Sequence, residues 1–125
     1  MKFNKRIAIL TFLLTACSGI TETHNPMLSK GNFRFKDNAE NSSYCMLQYL
    51  DKSYPSLTTT VNQIENGWKI ALHKDKQTIF ILTMTNAFNQ FTVGELFLEE
   101  NGFSNQSWVE RVVNAALSCK GRLTY

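Results

Sequence analysis

Residues 66–81 read Asn66-Gly67-Trp68-Lys69-Ile70-Ala71-Leu72-His73-Lys74-Asp75-Lys76-Gln77-Thr78-Ile79-Phe80-Ile81, and this stretch decides the fold. Asn66-Gly67 separates two apolar runs and is the strongest short signal for a β-hairpin, because both residues tolerate the positive φ of a type I′ turn. Asp75-Lys76 marks a second reversal of the chain. The stretch therefore predicts a three-stranded antiparallel meander.

The position of each turn also predicts a pairing register. A turn centred on Asn66-Gly67 pairs Glu65 with Trp68, and further along it pairs Val61 with Leu72. A turn centred on Asp75-Lys76 pairs Leu72 with Ile79. Because residues opposite each other share one face of a sheet, both turns predict a single apolar face. Its members are Trp68, Ile70, Leu72, Ile79 and Ile81.

Strand signals also lie on both sides of the meander. Residues 77–85 are apolar on both faces, which is typical of a central, covered strand. Residues 91–99 predict a fourth strand, although the stretch from Gly94 to Glu100 is also compatible with a short helix. Alternation over residues 32–36 predicts a short edge strand.

Two helical segments complete the prediction. Helical spacing of apolar residues predicts a helix over 43–53, with Asn41-Ser42-Ser43 as N-cap chemistry and Pro55 as the stop. Ser107 and Glu110 match a capping box ahead of a second helix, and Gly121 is a candidate C-cap. We therefore expect an α+β domain. It has an antiparallel sheet of three to four strands, with an N-terminal and a C-terminal helix packed on one side.

The N-terminus has the layout of an export signal. A basic start is followed by an apolar run from Ile7 to Leu14, which is too short for a bilayer-spanning helix of about 20 residues. Leu14-Thr15-Ala16-Cys17 then resembles the lipobox of bacterial lipoproteins. The resemblance implies a diacylglyceryl group on Cys17, cleavage before it, and a new amine acylated with a fatty chain such as palmitate. The alternative is an ordinary signal peptide with a chance cysteine.

These features predict an order of segments along the chain. Residues 1–16 are the lipoprotein signal peptide, residues 17–40 a lipidated N-terminus and flexible tether, and residues 41–125 a globular domain. In the family, an aspartate after the cysteine favours the inner membrane. Ser18 stands there instead, which favours anchoring at the periplasmic face of the outer membrane.

The two remaining cysteines predict a disulfide. Cys17 is assigned to lipid, so Cys45 and Cys119 are left in a chain bound for an oxidising compartment, where a structural bridge is the default. The rivals are a redox pair or metal ligands. The chain has no Cys-x-x-Cys motif, and its only histidines are His24 and His73, so we expect a Cys45–Cys119 bridge that clasps the two helices.

The charges and motifs do not point to catalysis. From Cys17 onward the chain has ten basic and ten acidic residues, which gives no electrostatic case for nucleic acid or for a polybasic membrane patch. His73 is interpreted as a solvent-facing strand residue, and Glu95, Glu99 and Glu100 as a loop-side acidic group. We expect no catalytic residues, no metal and no cofactor.

The expected function is protein binding. Several aromatic residues fall at element ends or in loops, where exposed rings would suit a protein partner. They are Tyr44, Tyr49, Tyr54, Phe88, Phe91 and Phe103. The main hypothesis is an accessory module for assembly or secretion with an envelope protein partner, which predicts a hydrophobic groove or an open sheet edge. The alternative is an immunity or enzyme-inhibitor lipoprotein, which predicts a concave or acidic surface. A small-ligand carrier and an enzyme are weaker hypotheses.

Overall fold

Six antiparallel strands and two helices make up the structure, a computed structural model that describes residues 27–88, 91–100, 102 and 104–124. In chain order the elements are β1 (Met27–Phe35), α1 (Ala39–Ser53), β2 (Thr58–Ile64), β3 (Gly67–Lys74), β4 (Gln77–Asn86), β5 (Thr92–Glu99), α2 (Asn105–Ser118) and β6 (Gly121–Leu123). The strands lie side by side in the order β2-β3-β4-β5-β1-β6. The predicted α+β class and the strand at residues 91–99 are confirmed.

The sheet is wider than the predicted three to four strands. β1 is longer than the expected 32–36 segment, and it is not an edge, because it lies between β5 and β6. The C-terminal helix is followed by a further strand, β6, and the N-terminal helix is preceded by β1. β1 pairs with β5 and β6, which are far from it in sequence. No turn motif in the sequence therefore predicts these pairings.

The globular unit starts earlier than the sequence predicted. β1 begins at Met27 and belongs to the sheet, so the expected tether over residues 17–40 is wrong for residues 27–40, and the domain does not begin at residue 41. The rest of the expected tether, the predicted signal peptide at residues 1–16 and the predicted lipid-attachment residue Cys17 lie outside the described residues.

The β2–β3 hairpin forms with a different turn from the predicted one. Ile64 lies opposite Gly67 and Val61 lies opposite Ile70. This register differs from the predicted one by two residues, and because side chains alternate between faces with a period of two, every side chain stays on its predicted face. Asn66 has the positive φ of 61°, whereas Gly67 is a strand residue whose φ is not positive. Gly67 is needed for another reason: a Cβ there would collide with the carbonyl oxygen of Met84.

The β3–β4 hairpin contains a β-bulge that changes which residues are buried. His73 lies opposite Thr78, but Leu72 lies opposite Phe80, so Ile79 has no partner on β3. A one-residue slip moves a strand's side chains to the other face. The predicted face containing Ile79 and Ile81 is therefore wrong, and Phe80, Leu82 and Met84 are the fully buried residues of β4.

One face of the sheet and both helices enclose a single core. α1 contributes Met46 and Leu50, and α2 contributes Trp108 and Val112. The sheet side of the core is made by Phe33, Phe35, Ile70, Leu72, Phe80, Leu82, Met84, Leu96 and Leu98. The prediction that the helices pack on one side is thus met, and we call the other side of the sheet the open face. None of the helices in the described ranges is both long and apolar enough to cross a bilayer.

The helix ends differ from the predicted capping signals. α1 begins four residues before the expected start, with Asn38 as N-cap accepting a 2.8 Å hydrogen bond from the Asn41 N–H. α2 begins at Asn105, so Ser107 lies inside the helix, and the N-cap Ser104 makes no side-chain cap bond. At the other end Lys120 takes the left-handed conformation, with φ 62°, and Gly121 opens β6 rather than capping α2.

Candidate functional site

The structure brings together two of the three cysteines singled out in the sequence. Cys45 of α1 and Cys119, the residue after α2, form a disulfide across 74 residues, with their Cα atoms 5.8 Å apart. Cys119 is buried and Cys45 is half-buried against the core. The predicted bridge is confirmed, and it joins the middle of α1 to the C-terminal end of α2.

His73 joins three strands on the open face. Its Nε2 lies 3.0 Å from the Thr60 hydroxyl on β2, and its Nδ1 lies 3.1 Å from the Thr78 hydroxyl on β4. Both ring nitrogens therefore have hydroxyl partners within the sheet. In the described part of the chain, no three or more His, Cys, Asp or Glu residues are grouped so that they could hold a metal ion.

The edge strand β2 is the most unusual surface feature of the sheet. Its residues, Thr58-Thr59-Thr60-Val61-Asn62-Gln63-Ile64, are all exposed or half-buried, and none is charged or a proline. It pairs with β3 along all seven residues without a bulge. Edge strands usually carry charges, prolines or bulges, because their outward N–H and C=O groups can otherwise pair with another chain. The opposite edge is different, since β6 has only three residues and carries Arg122.

An apolar hollow lies beside this edge, between α1 and the helix-covered face of the sheet. We call it the β2 groove. It has a volume of about 210 Å³ and is lined by Glu40, Ser43, Tyr44, Leu47, Val61 and Trp68. Tyr44 is 62% exposed and Val61 is 37% exposed, which makes them two of the most exposed large apolar side chains in the described residues.

The two walls of the β2 groove follow from the packing of α1. Met46 and Leu50, four residues apart, are fully buried in the core and set the rotation of the helix. Tyr44 and Leu47, three residues apart, then lie together on a flank of α1. On the sheet side, Val61 lies opposite Ile70 and Gln63 lies opposite Trp68, so Val61 and Trp68 are diagonal neighbours on the same face.

This arrangement can accept an extended peptide segment. A strand added to β2 would form main-chain hydrogen bonds along the edge that no other described strand occupies, and alternate side chains would point toward the helix-covered face, where the β2 groove lies. Tyr and Trp are the residues most often found as binding hot spots in protein interfaces. Tyr44 and Trp68 give the groove one of each.

Sequence reasoning found only part of this site. Tyr44 was among the aromatics expected to be exposed, but Tyr49 and Tyr54 are half-buried against the core, and Phe88 is 92% exposed away from the β2 groove. Phe103 lies outside the described residues. Trp68 was predicted only as a member of a shared apolar face, and Val61 only as the cross-strand partner of Leu72. No local signal shows that β2 is the edge, because strand order depends on pairings elsewhere in the chain.

Comparison with known protein families and with curated protein sequences finds no match. The site is accordingly interpreted from its own geometry.

Proposed function

We propose that this chain is a lipid-anchored protein of the bacterial cell envelope that binds another envelope protein as an accessory module. It would be held at the periplasmic face of the outer membrane by the acylated Cys17. It would take up an extended segment of its partner along β2. The unprotected β2 edge beside the β2 groove is the observation that supports this proposal most directly.

The chemistry of the edge limits the kind of partner segment. β2 has no charged side chain, so it offers no ion pairs along its length. Main-chain hydrogen bonds would supply affinity that does not depend on the side chains of the partner segment. Specificity would come from the β2 groove, where Tyr44, Val61 and Trp68 would contact an apolar side chain. We therefore propose an extended segment with apolar residues at alternate positions, at least one of them large.

The binding experiment compares two valines of nearly equal exposure. Val61 is 37% exposed at the β2 groove, and Val93 is 39% exposed on the open face of β5. Tagged, lipidated protein carrying Val61→Lys or Val93→Lys is produced in the source bacterium, and co-purifying envelope proteins are quantified by mass spectrometry. A lysine pointing inward at an edge strand is a natural device against strand addition. One protein should be recovered stoichiometrically with the wild type and with Val93→Lys, and lost with Val61→Lys.

Equal recovery of that protein with Val61→Lys would contradict the proposed edge, provided thermal unfolding shows that both variants fold. Recovery of lipid alone would contradict protein binding altogether. If the captured protein is a toxin or a wall-degrading enzyme that the purified chain inhibits, the immunity or inhibitor hypothesis replaces the accessory role.

The proposed anchor is tested separately, by mass. The intact wild-type protein should lack residues 1–16 and carry a diacylglyceryl group with an additional acyl chain on the residue that begins the mature protein. The Cys17→Ser variant should keep its N-terminal residues and gain no lipid, because a hydroxyl does not replace the thiolate as nucleophile. Maturation and membrane fractionation of Cys17→Ser like the wild type would contradict the anchor.

A further inference from the structure

Four cationic residues lie together at the β1–β6 edge, at the opposite edge of the sheet from β2. The chain from Cys17 onward has equal numbers of basic and acidic residues. Yet a hollow of about 740 Å³ is lined by four cationic residues together with Phe35, Phe91 and Gly121. The four, which we call the basic cluster, are Arg34, Lys36, Lys120 and Arg122. No carboxylate of the described residues is among the lining.

Strand pairing creates the basic cluster from two distant parts of the sequence. β1 and β6 are antiparallel neighbours, and Arg34 lies directly opposite Arg122. Just beyond the strand pair, the Lys36 N–H donates a 3.1 Å hydrogen bond to the Lys120 carbonyl oxygen. Like charges directly opposite each other across strands are destabilising. This cost is removed when an anion binds between them.

The side chains around the two arginines favour an anion with exposed oxygens. The Arg34 guanidinium lies over the Phe91 ring, 3.9 Å from the ring centre. One planar face of the guanidinium is therefore covered by the ring, and the N–H groups at the edge of the guanidinium are left for hydrogen bonding. The Asn38 N–H, the Asn41 side-chain amide and, to a smaller degree, the charge of Lys120 hold the pKa of the nearby Asp37 carboxyl below its ordinary value. Asp37 is not among the residues that line the hollow. Guanidinium groups bind phosphate oxygens in a bidentate way.

We propose that the basic cluster binds the phosphate headgroups of anionic phospholipids, so that the β1–β6 edge lies against the bilayer. The choice of a bilayer as the source of phosphate rests on the proposed anchor at Cys17. Nine residues separate Cys17 from Met27, the first residue of β1, and the ten Cα–Cα steps between the two span at most about 35 Å. Arg34 lies about 23 Å along β1 from Met27, so the cluster is within reach of the leaflet that holds the lipid. In this orientation the β2 groove faces away from the membrane, toward a partner.

Vesicle binding by the unlipidated chain tests this proposal independently of acylation. Residues 17–125 with Cys17→Ser, which include every described residue, are sedimented with vesicles of phosphatidylcholine alone or with about one-third phosphatidylglycerol. Binding should require phosphatidylglycerol and weaken with salt. Each basic residue near an anionic surface contributes about a fivefold change in partitioning, so Arg34→Gln/Arg122→Gln should lower binding by more than about tenfold.

The matched control is Lys74→Gln/Lys76→Gln, which removes the same charge from the β3–β4 turn and should leave binding nearly unchanged. Thermal unfolding confirms that both double variants fold. The proposal is overturned if phosphatidylcholine vesicles bind equally well, if the two double variants lose binding equally, or if inorganic phosphate or an oligonucleotide binds the cluster while vesicles do not. Failure of the anchor would instead appear as unmodified Cys17 in the mass measurement, with vesicle binding intact.

Discussion

Asn66 and Asn86 are joined by three hydrogen bonds that tie the β2–β3 turn to the end of β4, and the longest of them runs from the Asn86 side-chain amide to the Asn66 carbonyl oxygen over 3.5 Å. The Asn86 N–H donates to the Asn66 carbonyl oxygen over 2.9 Å, and the Asn66 side-chain amide donates to the Asn86 carbonyl oxygen over 2.9 Å. The Asn86 side chain extends the connection, because its Oδ1 accepts a 2.8 Å hydrogen bond from the N–H of Ala39. One residue therefore connects the first turn of α1 to the hairpin that carries the proposed docking edge.

Replacing Asn86 should loosen the start of α1. Asn86→Ala leaves the N–H of the buried Ala39 without its acceptor, and we expect a loss of about 1–2 kcal/mol in the free energy of unfolding. Asn86→Asp keeps the acceptor and should lose less. Urea unfolding followed by circular dichroism measures both variants, and equal losses would show that the bond to Ala39 contributes little.

Gly67 should tolerate no side chain. A Cβ at this position would overlap the Met84 carbonyl oxygen on the neighbouring strand, and backbone cannot move away as a side chain can. Gly67→Ala should cost about 3 kcal/mol or more. Gly31→Ala is the matched control, because its Cβ would meet side chains alone, the flexible end of Leu123 at 3.1 Å and the Phe33 ring at an ordinary van der Waals distance of 3.6 Å. It should change the unfolding free energy by less than about 1 kcal/mol, and similar losses for the two variants would contradict the close approach at Gly67.

Ser42 should be replaceable with a gain in stability. Its hydroxyl is buried in α1 and has no hydrogen-bond partner among the described residues. Ser42→Ala removes an unsatisfied polar atom and improves helix propensity, so we expect about 1 kcal/mol of stabilisation.

The matched comparison is Thr92→Val, at a buried hydroxyl that does have a partner, the Asp37 carbonyl oxygen at 2.7 Å. It should destabilise by about 1–2 kcal/mol. Thermal melts of the two variants should therefore shift in opposite directions. Shifts in the same direction would show that hydrogen-bonding status does not decide the effect.

The disulfide should supply a large part of the domain's stability. Cys45→Ser/Cys119→Ser opens a loop of 74 residues, and we expect a loss of about 2–5 kcal/mol. Unfolding of the unlipidated chain with and without a reductant gives an independent estimate. The Cys45→Ser/Cys119→Ser variant is the control, because its unfolding should be the same with and without the reductant. An unchanged midpoint after reduction would mean that helix packing alone holds α1 and α2 together.

Asp37 should make the start of α1 sensitive to acid. The Asn38 N–H, the Asn41 side-chain amide and the charge of Lys120, in that order, hold the pKa of the Asp37 carboxyl below its ordinary value of 3.8. Because the folded pKa is lowered, the contribution to stability is present above the ordinary value and is lost as pH falls through the lowered pKa. Asp37→Asn should therefore unfold at lower urea than the wild type at about pH 6, and the difference should shrink as the pH falls below 3.8. A difference that persists in strong acid would assign the effect to something other than the charge.

Local signals located most of the central elements. The alternation around Ile70 and Leu72 gave β3 its buried face, and the apolar run that follows it gave β4 as a central strand. The same signals placed Ile79 on the wrong face, because a bulge depends on how two strands pair and cannot be predicted from either strand alone. They also misplaced both helix starts, since Asn38 and Ser104 compete with neighbouring Ser and Asn residues that have similar capping preferences.

The sequence by itself determined the α+β class, the hairpins of the meander and the pairing of Cys45 with Cys119, because turns and amphipathic periods are read from neighbouring residues. Only the tertiary structure decided which strands lie at the edges. β1 pairs with β5 and β6 through contacts that span most of the chain, and their free energies depend on packing, not on local propensity. That strand order exposes β2 and places Arg34 against Arg122. Both surfaces proposed here as binding sites are therefore products of long-range pairing.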